Sequence, residues 1–86
     1  MKIEILGSGC KNCEELYDNV LTALDRTGLS RGAEVTKVKD IDEILKLGVY
    51  TTPGLVVDGE VISTGTLLSS QQIEEQLLAR IATPSP

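Results

Sequence analysis

"GSGCKNCEEL", residues 7–16, holds the only two cysteines of an 86-residue chain that contains no histidine. Gly7-Ser8-Gly9 permits a sharp reversal of the backbone, and two thiols follow it, separated by Lys11 and Asn12. Upstream, "KIEIL" at 2–6 alternates and is rich in β-branched residues, the pattern of a strand. Downstream, Leu16, Tyr17, Val20, Leu21 and Leu24 lie 3, 4, 7, 8 and 11 residues beyond Cys13 and share one helical face. The stretch is thus the joint between a strand and a helix. Cys10 is expected as the first helical residue and Cys13 one turn inside it.

The helix should end near Gly28, the natural residue for a left-handed C′ position. "LSRG" at 29–32 reads as a loop and "AEVTKV" at 33–38 as a second short strand. Asp40 with Glu43 suits an N-cap and capping box for a brief helix carrying Ile41, Ile44 and Leu45, stopped by Gly48. "VYTTPG" at 49–54 is an extended connection into "LVV". Asp58-Gly59 between two apolar runs predicts a type I′ hairpin, with "EVIS" as its second arm and Gly65 as its break. Ser69 and Gln72 can cap a last helix whose Ile73, Leu77, Leu78 and Ile81 should point inward. "TPSP" at 83–86 is expected as a flexible tail beyond a single domain at 1–82.

The order β-α-β-α-β-β-α predicts an α/β fold. A helical crossover makes the first two strands parallel, and the hairpin adds an antiparallel pair. The result is a four-stranded mixed sheet with helices on both faces.

Composition narrows the functions open to this chain. Hydrophobic residues make up 41% and are almost all aliphatic, with two Tyr and neither Phe nor Trp. A net charge of −5 offers no basic stripe for nucleic acid and no attraction to an anionic membrane. No apolar run matches a membrane span or a secretory leader, so the expected address is the cytoplasm. Cytosolic reductants disfavour a permanent structural disulfide there, and a bridge across two residues would constrain the unfolded chain very little.

The spacing of the thiols favours redox chemistry. Residues three apart share a helix face, so the sulfurs can reach bonding distance. The unpaired N–H groups and positive dipole end of a helix N-terminus stabilise a thiolate at Cys10, and such thiols have pKa values of roughly 3.5–7.5. Lys11 adds positive charge, while Glu14 and Glu15 oppose it. Cys13, on the apolar face, should be the more buried sulfur. That asymmetry suits attack by Cys10 on a disulfide and resolution by Cys13.

Taken together, the strand, "CKNC", the helix, and "TTPG" before a hairpin resemble the thioredoxin-like superfamily. More narrowly they resemble the small archaeal and bacterial thioredoxins known as redox-active disulfide proteins. The likeness runs from Met1 to about Ile81 and takes in "GEV" at 59–61, Gly65, Leu67 and "SSQQIEEQL" at 69–77. It implies a minimal thioredoxin fold and a thiol-disulfide oxidoreductase engaged in electron transport. No cofactor is implied beyond the redox-active Cys10–Cys13 disulfide. It further implies a cis Pro53 facing the cysteines, with the Thr52 backbone pairing with a substrate peptide. Partners would be protein disulfides and a thioredoxin-reductase-like donor, with the chain acting as a monomer.

Glu4, six residues before Cys10, matches the buried aspartate that thioredoxins use for proton transfer to the inner thiol. It is a candidate proton acceptor, the other reading being a solvated carboxylate alternating outward from Ile3 and Ile5. Lys11 is a candidate for docking a partner. Tyr17 is expected in the core, and Tyr50 either in the core or lining the substrate groove. The chain departs from typical thioredoxins at Gly9, where they have Trp, and at Lys11-Asn12, where they have Gly-Pro; both bear on redox potential and partner. "STGTLLSS" at 63–70 lacks the Gly-Gly-Asp-like segment that holds glutathione in glutaredoxins, which favours protein dithiols as the partner.

Two other classes compete. A thiolate carrier for Cu(I), like the heavy-metal-associated domains, would use the same two sulfurs. Structural zinc sites need four ligands, however, and "TTPG" with its hairpin does not fit that fold's order. A non-catalytic interaction module is the remaining reading, and retention of both cysteines weighs against it.

Overall fold

The computed structural model describes residues 1–7 and 10–82. Its elements are β1 (Lys2–Leu6), α1 (Lys11–Thr27), a 3₁₀ turn (Ser30–Gly32), β2 (Glu34–Val38), α2 (Ile41–Lys46), β3 (Gly54–Val57), β4 (Glu60–Thr64) and α3 (Ser70–Ala82). The strands form one sheet in the order β2-β1-β3-β4. β1 runs parallel to β2 and antiparallel to β3, and β3 pairs antiparallel with β4. This is the mixed α/β architecture of a minimal thioredoxin fold. The expected tail at 83–86 lies outside the described residues.

Alternation along the central strands sorts their side chains into two cores. Ile3, Ile5, Leu55 and Val57 face α1 and α3, packing with Leu16, Val20, Ala23, Leu24, Ile73 and Leu77. Leu6 and Val56 point to the other face, where Ile44 of α2 and Val49 cover them. One face is therefore roofed by two long helices and the other by a helix of six residues.

The local signals act through identifiable bonds. Gly28 takes the left-handed conformation that ends α1, with φ of 73°. Asp58 and Gly59 both have positive φ, as a type I′ turn requires, and Asp58 Oδ1 accepts from the Lys2 N–H at 2.7 Å. The Ser69–Gln72 capping box is reciprocal: the Gln72 N–H donates to Ser69 Oγ at 3.2 Å and the Ser69 N–H to Gln72 Oε1 at 2.9 Å.

Several expectations need correction. Cys10 is the N-cap of α1 rather than its first residue, because its backbone is still extended. Asp40 accepts from the Asp42 N–H, while Glu43 turns to Lys46 at 3.5 Å, so no capping box forms there. Leu21 is solvent-facing, and Ala23, one turn beyond Val20, takes the core position. Leu78 is 50% exposed, whereas Ile73 and Leu77 are buried. A helix carries only a stripe into the core, and Leu78 falls beside it. The loop at 29–32 contains a turn of 3₁₀ helix.

Candidate active site

The two cysteines sit where β1, α1 and the segment before β3 converge. Cys10 and Cys13 form a disulfide, with their α-carbons 5.2 Å apart. As N-cap, Cys10 directs its Sγ onto the helix end, where the Cys13 N–H donates to it at 3.1 Å. This is the place where Ser, Thr, Asp or Asn ordinarily satisfies an orphan amide. A sulfur there receives an N–H bond aligned with the positive end of a 17-residue helix. Cys10 is half-buried, and Cys13 is only 2% exposed. The two sulfurs thus differ in access as the spacing suggested.

Across from them, the Thr52–Pro53 peptide bond is cis. Pro53 is buried and Thr52 is exposed. The Pro53 carbonyl accepts from the Gly65 N–H at 2.8 Å, which ties this segment to the end of β4. Thr52 stands outside every strand ladder, and its side chain closes over Gly7 together with the Cys13 sulfur. The structure therefore gathers Cys10, Cys13, Thr52 and Pro53 into one place.

The other candidates are placed as follows. Lys11 is exposed at the first residue of α1, beside Cys10. Glu4 is half-buried on β1, opposite Thr36 on one side and Val56 on the other. By alternation it leaves the sheet on the face of Leu6 and Val56, away from the face on which α1 packs. Tyr50 is 81% exposed and so lies outside the core, three residues from Pro53. Tyr17 is half-buried against the larger core.

Lys37 is a residue the sequence reading passed over. From β2 its Nζ reaches Glu14 Oε2 at 2.8 Å and lies 4.3 Å from the centre of the Tyr17 ring. The hydrogen bond that Lys37 donates to the Glu14 carboxylate holds its ammonium above its ordinary pKa. Glu14 follows Cys13 directly and lies one turn beyond Cys10, so Lys37 offsets a carboxylate in the first turn of the cysteine helix. Nothing local in the sequence links residues 14 and 37; only the β1–β2 register does.

A disulfide at a helix N-terminus, set at the end of a four-stranded mixed sheet beside the segment that enters β3, has the build of a thioredoxin-like dithiol redox protein. Residues 1–78 match the thioredoxin domain family, and the chain belongs to it. It is 42% identical over 77 residues to a thioredoxin of Methanothermobacter thermautotrophicus, covering 90% of this chain and 97% of that one. It is 37% identical over 75 residues to a thioredoxin of Methanocaldococcus jannaschii, covering 87% of this chain and 84% of the relative. The chain is accordingly a thiol-disulfide oxidoreductase acting through its Cys10–Cys13 pair. Among the described residues, no helix is long and apolar enough to cross a membrane.

Proposed function

We propose that Cys10 is the attacking thiol and Cys13 the resolving one in reduction of protein disulfides. In the dithiol form, the Cys10 thiolate attacks a substrate disulfide and one substrate sulfur leaves as a thiolate. Cys13 then gives up its proton, to solvent or to the substrate thiolate already released, and attacks the Cys10 sulfur of the mixed disulfide. The second substrate thiolate departs, the Cys10–Cys13 disulfide forms, and two electrons have passed to the substrate. A dithiol donor of the reductase class returns them.

The observation that carries this reading is the N–H bond from Cys13 to the Cys10 sulfur, combined with the near-complete burial of Cys13. A group that stabilises negative charge on the accessible sulfur favours it as both nucleophile and metastable thiolate. The exposed Thr52 suits backbone pairing with an extended substrate segment, and buried Pro53 suits a wall beside the disulfide. Lys11 supplies a positive charge at the rim for acidic partners. Glu4 is assigned no step, since its side chain leaves β1 on the face away from α1; we take it as a solvated carboxylate. The same reading treats residues 1–82 as one domain acting as a monomer in the cytoplasm, where a reducing pool returns the pair to its dithiol form.

Replacing the resolving thiol tests the assignment. Cys13→Ser, mixed with a cell extract, should accumulate protein adducts through Cys10 that a reductant releases, and Cys10→Ser should not. Adducts forming equally well on Cys13 in Cys10→Ser would overturn the order of the two thiols.

A further inference from the structure

Gly7 is the residue on which the site closes. It is buried at the end of β1, with φ of +115°, and its N–H donates to the Val38 carbonyl at 2.9 Å. The backbone is therefore held at β2 and cannot easily retreat. A Cβ on Gly7 would lie 2.9 Å from Cys13 Sγ, 2.9 Å from Thr52 Cβ and 3.1 Å from Thr52 Cγ2. Atoms do not pack that closely, so any side chain here would have to displace the resolving sulfur, Thr52, or both. A Cβ on Gly28, Gly48 or Gly59, also at positive φ, would meet nothing within 4 Å.

The two redox forms would feel such a side chain unequally. In the disulfide, the Cys13 sulfur is tethered to Cys10 and cannot swing aside. In the dithiol, it is free to rotate about its own side-chain bond. Resolution of a mixed disulfide demands the tethered position, because the Cys13 thiolate must reach the Cys10 sulfur as the Cys10–substrate bond breaks. The electron pair of that bond leaves on the substrate sulfur.

We propose that Gly7 is a positioning residue of the redox centre: its missing side chain admits the Cys13 sulfur beside Thr52, favouring the disulfide form and the resolving step. The proposal rests on the assignment of Cys13 as the resolving thiol. It adds that a residue outside the CxxC pair and the cis-proline segment sets the poise of the couple.

The test compares Gly7→Ala with Gly28→Ala in the full chain. Both place alanine at positive φ, but only the first creates a collision. Reduced protein is mixed with an aromatic disulfide whose released thiolate is coloured. Attack by Cys10 gives a first release and resolution by Cys13 a second. In Gly7→Ala the first release should keep the wild-type rate and the second should slow about tenfold. The equilibrium with reduced and oxidised glutathione should move toward the dithiol by a similar factor, which for a two-electron couple is about 30 mV. Gly28→Ala should melt at a lower temperature and leave both redox readouts at wild-type values.

Equal redox behaviour of the two variants would overturn the proposal, since backbone strain alone would then account for Gly7. Wild-type protein that gives no second release would instead overturn the role of Cys13. If Gly7→Ala does not fold, Thr52→Gly should restore it, because that change removes two of the atoms the new methyl would strike. Failure of that rescue also counts against the proposal.

Discussion

Asn19 gives the most exacting test of how the cysteine helix is held. It sits half-buried on α1, and its Nδ2 donates to the Leu68 carbonyl at 2.9 Å, a bond that spans 49 residues of sequence. Leu68 immediately precedes Ser69, the cap of α3, so one amide links the middle of α1 to the entry of α3. Asn19→Ala leaves that carbonyl in a half-buried setting without its donor. A net hydrogen bond is worth about 1 kcal/mol and an orphaned buried acceptor costs about 1–3, so the loss should be about 1–2 kcal/mol. For a domain of this size, each kcal/mol lowers Tm by about 4–8 °C. Asn19→Asp should be worse at neutral pH, because an ionised carboxylate can only accept and would face the carbonyl oxygen. Protonated, it can donate. Its folded-state pKa should therefore lie above the unfolded value of about 3.9. The deficit relative to Asn19→Ala should be fully relieved below that pH and return as pH rises through the folded pKa. Urea melts of the oxidised variants at neutral and acid pH measure this directly, with exposed Thr22→Ala as the control. The reasoning fails if Asn19→Ala melts with Thr22→Ala at unchanged slope, or if Asn19→Asp is no weaker than Asn19→Ala at pH 7.

Two further outcomes follow from bonds already described. Lys37→Met keeps an apolar stem over Tyr17 but uncovers the Glu14 carboxylate, so alkylation of reduced Cys10 at neutral pH should slow about two- to threefold at low salt and recover near 1 M salt; an acceleration, or a slowing indifferent to salt, would contradict it. Ser69→Ala removes the oxygen that accepts the Gln72 N–H and should lower stability by about 1 kcal/mol in thermal melts, with redox rates untouched; a change below the noise of the melt would mean that this cap carries no weight.

Local chemistry made much of the fold readable. The period of Leu16, Val20 and Leu24 marks α1 because the helix must bury one stripe. Asp58-Gly59 marks the hairpin because only such residues accept positive φ at both turn positions. Ser69 and Gln72 mark α3 because their side chains find each other across one turn. Readings failed where a distant neighbour decided the matter. Leu21 and Leu78 look as apolar as the residues that are buried, and only the placement of the other helix and the sheet excludes them. The pair Asp40 and Glu43 failed for a local reason instead: it resembles a capping box, but Lys46, one turn on, pairs with Glu43. At the site, the two thiols and the Thr-Pro pair were legible as motifs. Glu14–Lys37 was not, since it depends on strand register. Nor was the crowding at Gly7, because a glycine's sequence announces the freedom of its backbone and says nothing of what fills the space beside it.

The uneven roofing of the sheet divides the reaction centre mechanically. Cys10 and Cys13 start a helix anchored by the larger core, whereas Thr52 and Pro53 follow a segment leaning on Leu6, Ile44, Val49 and Val56. Segments with few buried apolar neighbours open locally at lower free energy than those at the centre of a core. The sulfurs are therefore borne by the stiff half of the molecule, and α2 with its approach to Thr52 forms the compliant half. The substrate backbone proposed to pair at Thr52 would then be met by a surface that yields, while the backbone that carries the two cysteines is held by one that does not.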